Sequence, residues 1–244
     1  MRRHWWWRPG WRPGRRQYAW HLTFGEQTVS RGLAELRRVA GDYRASLAGL
    51  PGLDLVPVEW LHLTVQAVGF ADEVGPGDAE RIVAAVRRRC AALAPPRLTL
   101  GPAQLQAEGV WLPVASAAAV RRVRAAVRAG IAEVWGAARV PEAAGAFTPH
   151  VSLAYSNTDG PDAPFAAALA GMPPRSATVE LAAIQAISLR RDGRLYGWEI
   201  LATVPFGSGA IRGNPAPPVR GHLAGKTAAV GLIREDLPFR ATFP

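Results

Sequence analysis

Three short stretches of the sequence place a histidine two residues before a hydroxyl side chain. They are His21–Thr23 and His62–Thr64, both reading HLT, and His150–Ser152, reading HVS. A histidine can take or give a proton near neutrality because its ordinary pKa is about 6.5. A hydroxyl can donate a hydrogen bond to a phosphate oxygen. Two such stretches facing one another would therefore suit acid–base chemistry on a phosphate.

Strand geometry shows how a pair of these stretches would work. Residues i and i+2 of a strand face the same side, so each histidine would share a face with its hydroxyl. One neutral imidazole would then act as base and the other, protonated, as acid. The hydroxyls would hydrogen-bond the non-bridging phosphate oxygens. We predict that His62, Thr64, His150 and Ser152 form such a catalytic group, without a metal ion or other cofactor.

The order of predicted elements selects this pair from the three stretches. Hydrophobic periodicity and helix-start residues predict strand–helix–strand–helix–strand twice. His62 lies 32 residues after the predicted helix start at Ser30, and His150 lies 34 residues after that at Ser116. The predicted segments are 18–25, 30–47, 61–70, 78–93 and 97–101, then 109–114, 116–134, 147–155, 162–169, 178–189 and 195–206, the last two joined by a hairpin at Asp192-Gly193. His62 and His150 are thus equivalent, and His21 has no counterpart.

These paired stretches resemble the HxT/S motifs of the two-histidine (2H) phosphoesterase superfamily, and within it the 2'-5' RNA ligase, or RNA 2',3'-cyclic phosphodiesterase, family. The motifs are His62-Leu63-Thr64-Val65 and Pro149-His150-Val151-Ser152-Leu153; the run through Gly197-Trp198-Glu199-Ile200 also fits, and the resemblance spans about 18–206. It implies a bilobal α+β fold with pseudo-twofold symmetry, in which two antiparallel sheets flank a central cleft and helices lie outside. Ser152 departs from the family's threonine but keeps the hydroxyl donor.

The resemblance implies opening of cyclic phosphates at RNA ends, or reversible joining of RNA ends through a 2'-5' linkage, without ATP or metal. Three other functions remain open. One is the same chemistry on a small nucleotide, such as an ADP-ribose cyclic phosphate. The second is a non-catalytic module that binds a nucleotide or RNA. The third is an RNA-binding protein that acts through the Trp/Arg arm at the start of the chain, with the two lobes as a scaffold. An RNA or small cyclic-phosphate partner is expected, with no membrane and no obligate protein partner, so that the protein would be a monomer.

Three further residues are candidates for substrate binding. His21, between Trp20 and Leu22, is expected to line the cleft wall rather than to catalyse. Tyr155 lies five residues after His150, so strand parity places it on the opposite face unless the strand bends. Arg190 precedes the final hairpin and would be able to meet a phosphate there.

The net charge of +10 is concentrated in the two ends of the chain. Residues 1–16 carry six arginines and no acid, whereas 17–206 come to about +1. We therefore predict a flexible basic arm over 1–16, with a tandem WRPG, a phosphoesterase-like domain over 17–206 in two repeats (about 18–101 and 109–206), and a Gly/Pro-rich basic tail over 207–244. An RNA-touching arm is the alternative to a solvated one. The single cysteine, the lack of a long apolar run and the lack of a signal sequence favour the cytoplasm.

Overall fold

The computed structural model of the protein describes residues 1–24, 30–115, 117–145 and 147–207. Within these ranges the helices are α1 (Leu33–Leu47), α2 (Asp78–Cys90), α3 (Ala118–Trp135) and α4 (Ala163–Ala170). The strands are β1 (Gln17–Thr23), β2 (Ser30–Arg31), β3 (Leu53–Leu55), β4 (His62–Phe70), β5 (Arg97–Leu100), β6 (Gln104–Gln106), β7 (Gly109–Pro113), β8 (His150–Ser156), β9 (Ala177–Leu181), β10 (Ala183–Arg190) and β11 (Gly197–Pro205). The expected α+β class is confirmed.

The strands form two four-stranded antiparallel sheets, with orders β11-β10-β1-β4 and β3-β8-β7-β6. A smaller third sheet, β2-β9-β5, was not expected. Apart from the short β2 and β3, the order strand–helix–strand–helix recurs as β1-α1-β4-α2 and β7-α3-β8-α4. Each sheet also takes strands from both halves, since β10 and β11 complete the first sheet and β3 completes the second. The halves therefore share one hydrogen-bonded framework.

The alternation of side chains in β4 and β8 separates the core from the outer sheet face. Leu63 and Val65 of β4, and Val151 and Leu153 of β8, are almost fully buried in the core. The intervening histidine and hydroxyl side chains consequently face away from that core. Helix α3 packs against β4, and α1 packs against β8.

The start of α1 differs from the sequence prediction. Ser30 does not cap the helix; it pairs with Leu181 in the short strand β2. Gly32, with a φ of 79°, then turns the chain into α1. A Cβ atom on Gly32 would lie 2.0 Å from the Thr178 carbonyl oxygen, so the turn requires both the left-handed backbone and the lack of a side chain. The tertiary contact with β9 thus outweighs the local capping preference of serine.

The strand predicted over 178–189 is two strands that belong to different sheets. In β9 buried and half-buried residues alternate, whereas most of β10 is buried on both faces. Ala182 separates the two, and the chain passes there from the three-stranded sheet to the first four-stranded sheet. The apolar residues 181–184 run across the junction and concealed this change, because one continuous strand and two abutting strands give similar patterns.

Residues 1–16 depart from the expected flexible arm, because they pack along the body. Trp5 is 8% exposed, and its indole Nε1–H donates to Asp54 Oδ2 at 2.8 Å. Arg12 and Arg15 form ion pairs with Asp72. The segment has little regular secondary structure, which agrees with its lack of hydrophobic periodicity. A lack of periodicity does not by itself imply flexibility, however, because irregular segments can also pack against the body.

Some predicted features lie outside the described residues: the end of the first strand at Gly25, the capping role of Ser116, and the tail over 208–244. In the part of the chain that the structure describes, we find no helix with the length and apolar character needed to cross a membrane.

Two helical glycines should respond in opposite ways to replacement by alanine. Gly41 of α1 has open space where a Cβ atom would lie, whereas a Cβ on Gly130 of α3 would lie 2.5 Å from Val86 Cγ2 and 3.0 Å from Val86 N. Gly41→Ala should therefore raise the free energy of unfolding by about 0.5–1 kcal/mol, because it restricts the unfolded chain. Gly130→Ala should lower it by roughly 1–3 kcal/mol, because α2 and α3 must separate.

Chemical denaturation of both variants beside the parent protein checks this pair. Each variant is the other's control, since both make the same chemical change within a helix. Equal stabilisation by the two would show that α2 and α3 do not approach as closely as described.

Candidate active site

Strands β4 and β8 bring their histidines and hydroxyls to one cleft of about 490 Å³. His62 and Thr64 line it from the first four-stranded sheet, and His150 and Ser152 line it from the second. The structure therefore brings together all four side chains of the predicted catalytic group.

The two imidazoles are oriented by the same local hydrogen bond. Nδ1 of His62 lies 2.9 Å from the Trp60 carbonyl oxygen, and Nδ1 of His150 lies 2.8 Å from the Thr148 carbonyl oxygen. Since a carbonyl only accepts, Nδ1 must carry the proton in both rings. In the neutral form Nε2 then holds a lone pair. Each ring thus has an Nε2 lone pair that is able to accept a proton.

Aromatic neighbours fix the ring planes. Trp111 stacks on His150 with ring centroids 3.7 Å apart and an interplanar angle of 11°. His62 meets the edge of Trp198 at a centroid distance of 5.0 Å. These contacts limit rotation of the imidazoles, so that the directions of the two Nε2 atoms are set before a substrate arrives.

Burial makes both imidazoles neutral at pH 7. It lowers the pKa of His62 to about 4, against the opposing effect of the Trp60 carbonyl, and the nearby charge of His150 lowers that pKa further. Burial also lowers the pKa of His150, although its hydrogen bond to Thr148 opposes the shift. The effect of one histidine on the other indicates that they share one electrostatic environment.

His21 does not line the cleft, which corrects the expectation for this residue. Its ring is fully buried behind His62, stacked on it with centroids 4.5 Å apart and planes 3° apart. Its Nε2 lies 3.3 Å from Thr64 Oγ1. Strands β1 and β4 are neighbours, and their pairing sets His21 opposite Thr64. His21 is therefore in contact with two cleft residues while it is itself removed from the cleft.

Tyr155 does line the cleft, because β8 bends. The β7–β8 register skips Leu153, an extra residue on β8, and such a bulge reverses the alternation beyond it. Tyr155 returns to the face of His150 and Ser152, and all three line the cleft. Burial raises the pKa of the Tyr155 phenol above its ordinary range, so the hydroxyl stays protonated.

Arg190 is not placed in the cleft, which corrects its expected phosphate contact. Its side chain is exposed and lies over Gly197 of the adjoining strand. The neighbouring Arg191 is buried and donates to the carbonyl oxygens of His4 and Trp6. Arg191 thus holds the start of the chain, and neither of these two arginines lines the cleft.

Sequence reasoning missed the cleft residues that come from the start of the chain. Arg2, His4 and Arg8 line the cleft, together with Glu108 and Tyr196. The remaining lining residues are Gln106, Ala107, Trp111 and Leu189. His4 belongs to the arm that was expected to be flexible and solvated, but it is 9% exposed and its Nδ1 lies 2.9 Å from Glu108 Oε2. The concentration of arginine over 1–16 was the one available signal.

The described ranges contain no group of three or more His, Cys, Asp or Glu side chains arranged to hold a metal ion.

Solved structures of other proteins share this fold. The protein TT0787 of Thermus thermophilus superposes with a TM-score of 0.60 at 19% identity, over 79% of this chain and 99% of that one. LigT of E. coli complexed with 3'-AMP gives a TM-score of 0.54 at 15% identity, over 79% of this chain and 98% of LigT. LigT complexed with phosphate gives 0.55 at 16% identity, with the same coverage.

Comparison with curated protein sequences gives no match. A family model does match, over residues 26–193, which is more than half of the chain and includes both histidine motifs. The sequence resemblance is thereby confirmed, and the chain belongs to the 2'-5' RNA ligase superfamily.

Proposed function

We propose that the protein is a two-histidine phosphodiesterase that opens 2',3'-cyclic phosphates at RNA ends, and that the same site can join such ends through a 2'-5' linkage. The observation that supports this most is the pair of imidazoles in one cleft, each with Nδ1 bonded to the carbonyl two residues before it and a hydroxyl two residues after it. LigT, a protein of the same fold, has been solved with phosphate and with 3'-AMP.

In the hydrolytic direction, water attacks phosphorus and one ribose P–O bond breaks. Nε2 of one histidine takes the proton from water, and Nε2–H of the other gives a proton to the leaving ribose oxygen. The product is a ribose phosphomonoester and a free hydroxyl. In the joining direction, a ribose hydroxyl replaces water as the nucleophile, and no additional reactant is required.

The substrate itself stabilises the protonated histidine. Both imidazoles are neutral in the free protein, because burial lowers the pKa values of His62 and His150. A phosphate anion bound between them raises the pKa of the adjacent imidazole, since an opposite charge favours the cation. Binding thus creates the acid–base pair that the reaction needs.

The hydroxyl of Thr64 donates to the phosphate because of His21. Among the described residues, His21 Nδ1 has no hydrogen-bond partner, while Nε2 contacts Thr64 Oγ1. A buried N–H without a partner is more costly than an unpaired acceptor, so the proton belongs on Nε2. Nε2–H then donates to Oγ1. The hydroxyl proton of Thr64 is left to point into the cleft.

Replacement of either cleft histidine by glutamine should reduce turnover of a 2',3'-cyclic-phosphate oligonucleotide about 10²–10⁴-fold, because one proton-transfer group is lost. The assay is run in EDTA, since the proposed mechanism uses no metal ion. His62→Gln and His150→Gln are compared by kcat/KM.

His222→Gln is the matched control, since it lies beyond the family match and should behave as the parent. Turnover that survives both cleft substitutions would contradict the residue assignment. Loss of turnover by the parent protein in EDTA would contradict the metal-independent mechanism. If the parent protein turned over no cyclic phosphate at all, the proposal that it is an enzyme would be contradicted.

The pH dependence of kcat/KM should reach its maximum below pH 6.5. Reaction requires one imidazole protonated and one neutral, and burial lowers both free-protein pKa values, that of His62 to about 4. Above the higher of the two pKa values, the protonated fraction falls by about tenfold per pH unit, and kcat/KM falls with it.

The profile of kcat should lie at higher pH than that of kcat/KM, since the bound phosphate raises the pKa of its imidazole partner. Initial rates from pH 4.5 to 8.5 give both profiles. A kcat/KM that rises from pH 6 to pH 8 would be incompatible with this arrangement.

Replacement of His21 should impair turnover only while Thr64 is present. His21→Phe should lower kcat about tenfold, the equivalent of one hydrogen bond of ~1–1.5 kcal/mol, because the Thr64 hydroxyl loses its orientation. In a Thr64→Val background the same change should have no further effect. A double-mutant cycle on kcat measures this coupling.

His21→Gln is the matched variant, because its amide N–H can still donate to Thr64 and should recover part of the rate. Equal losses from His21→Phe with and without Thr64 would show that His21 acts through packing alone. Thermal unfolding of each variant identifies any general loss of folding.

A further inference from the structure

The first eight residues are fixed to the body by their backbone. The Arg2 N–H donates to the Ala107 carbonyl oxygen at 2.6 Å, and the His4 N–H donates to the Ser156 carbonyl oxygen at 2.8 Å. The amino terminus itself donates to the Gly160 carbonyl oxygen at 2.6 Å. Side chains that project from this segment toward the cleft therefore start from a fixed backbone.

Buried side chains complete the attachment. Arg191 donates from Nη1 to the Trp6 carbonyl oxygen and from Nη2 to that of His4, both at 2.8 Å. The His4 ring stacks on Tyr155 with centroids 4.3 Å apart. Burial lowers the pKa of His4 to about 4, so that this ring is a neutral part of the wall.

The attached segment places two guanidinium groups at the cleft. Arg2 and Arg8 both line it. Arg8 Nη2 lies 2.6 Å from Glu108 Oε2, whereas Arg2 has no ion pair among the described residues. The same Glu108 oxygen also meets His4 Nδ1, so this carboxylate is held toward the segment. Two arginines against one carboxylate leave this end of the cleft positive.

The positive end is separate from the reacting end. Arg8 pairs with Glu108 and the Arg2 backbone bonds to Ala107, both just before the start of β7 at Gly109, whereas His150 lies opposite Pro113 at the end of β7. Both imidazoles are neutral in the free protein, so no fixed positive charge lies beside the position proposed for the reacting phosphate. The cations are thus positioned for a different anionic group of the ligand.

Two exposed tryptophans continue the segment beside these arginines. Trp6 is 47% exposed and Trp7 is 56% exposed, and the Arg8 guanidinium lies 5.0 Å from the Trp6 ring centroid. Exposed aromatic rings next to arginines are typical of surfaces that bind single-stranded nucleic acid, in which bases stack and phosphates meet the cations.

We propose that residues 2–8 form a second subsite of the cleft, in which Arg2 and Arg8 bind the phosphate one nucleotide before the reacting one and Trp6 stacks a base of the same RNA strand. This deepens and rests on the proposed function, because it selects an RNA end over an isolated cyclic nucleotide. The residues of the subsite lie outside the part of the chain matched by the family model.

Binding of two small probes tests the subsite without any turnover. By calorimetry, the full chain should bind adenosine 3',5'-bisphosphate roughly three- to tenfold more tightly than 3'-AMP, because the second phosphate reaches the arginines. Arg2→Gln should remove much of this preference, and Arg8→Gln should do so as well. Arg3→Gln is the matched control, because this substitution removes the same charge one position away from Arg2. Arg3 is exposed and does not line the cleft.

Longer ligands distinguish a strand from a small nucleotide. A trinucleotide with a 2',3'-cyclic phosphate should exceed adenosine 2',3'-cyclic phosphate in kcat/KM, and Arg2→Gln should lower that ratio. The salt dependence of trinucleotide binding should become shallower by about 0.7 in log–log slope for each arginine removed. Trp6→Ala should weaken binding of the trinucleotide but leave the bisphosphate preference in place.

The outcomes separate the two proposals. Equal binding of both probes, or equal effects of Arg2→Gln and Arg3→Gln, would overturn the subsite even if cyclic phosphates are opened. If the protein prefers the bisphosphate but the trinucleotide shows no higher kcat/KM, the proposed RNA ligand would be overturned in favour of a small nucleotide with a second phosphate. Absence of turnover with an intact bisphosphate preference would overturn the proposed reaction and support the subsite.

Discussion

The hydrogen bond from a histidine Nδ1 to the carbonyl two residues before it is the interaction on which this site depends. It occurs at His62 with Trp60 and at His150 with Thr148, where strands β4 and β8 begin. The carbonyl belongs to a residue just before the strand. The backbone that leads into each strand therefore also orients the imidazole ring. One local contact, used twice, therefore assigns the same tautomer to both imidazoles and keeps both Nε2 atoms for the ligand.

Burial adds the second constraint, which is charge. Two imidazolium ions in one cleft would repel each other, and the lowered pKa values of His62 and His150 avoid that state. In the proposed mechanism, a neutral pair has no proton for the leaving group until an anion binds. Protonation and phosphate binding would therefore be linked, because the bound anion raises the pKa of the imidazole that serves as acid.

The sequence predicted those parts of the molecule that follow periodic rules. Strand parity and the repeated order of elements paired His62 with His150, and the structure brings both to one cleft. Parity failed at Tyr155, because the extra Leu153 reverses the alternation and no residue pattern marks that bulge. The expected phosphate contact of Arg190 rested on its place at the final hairpin, and the direction of its side chain depends on how that hairpin packs. A contact between β1 and β4, not any local preference, decides the place of His21.

The start of the chain lay beyond such rules for a different physical reason. In residues 1–8, the adjacent His4 and Trp5 are buried and the next two residues, Trp6 and Trp7, are exposed. Burial in this segment therefore follows neither the period of 2 of a strand nor the period of 3.6 of a helix. What the sequence did contain was charge, +6 over 1–16 against about +1 over 17–206.

Under the proposed function, the near-neutral pair of histidines and the basic attached segment have complementary roles. Cations beside His62 and His150 would lower their pKa values further and oppose formation of the acid, whereas cations at the other end of the cleft would attract the ligand without that effect. This separation would account for arginines on residues 2–8 and not on the strands that hold the histidines.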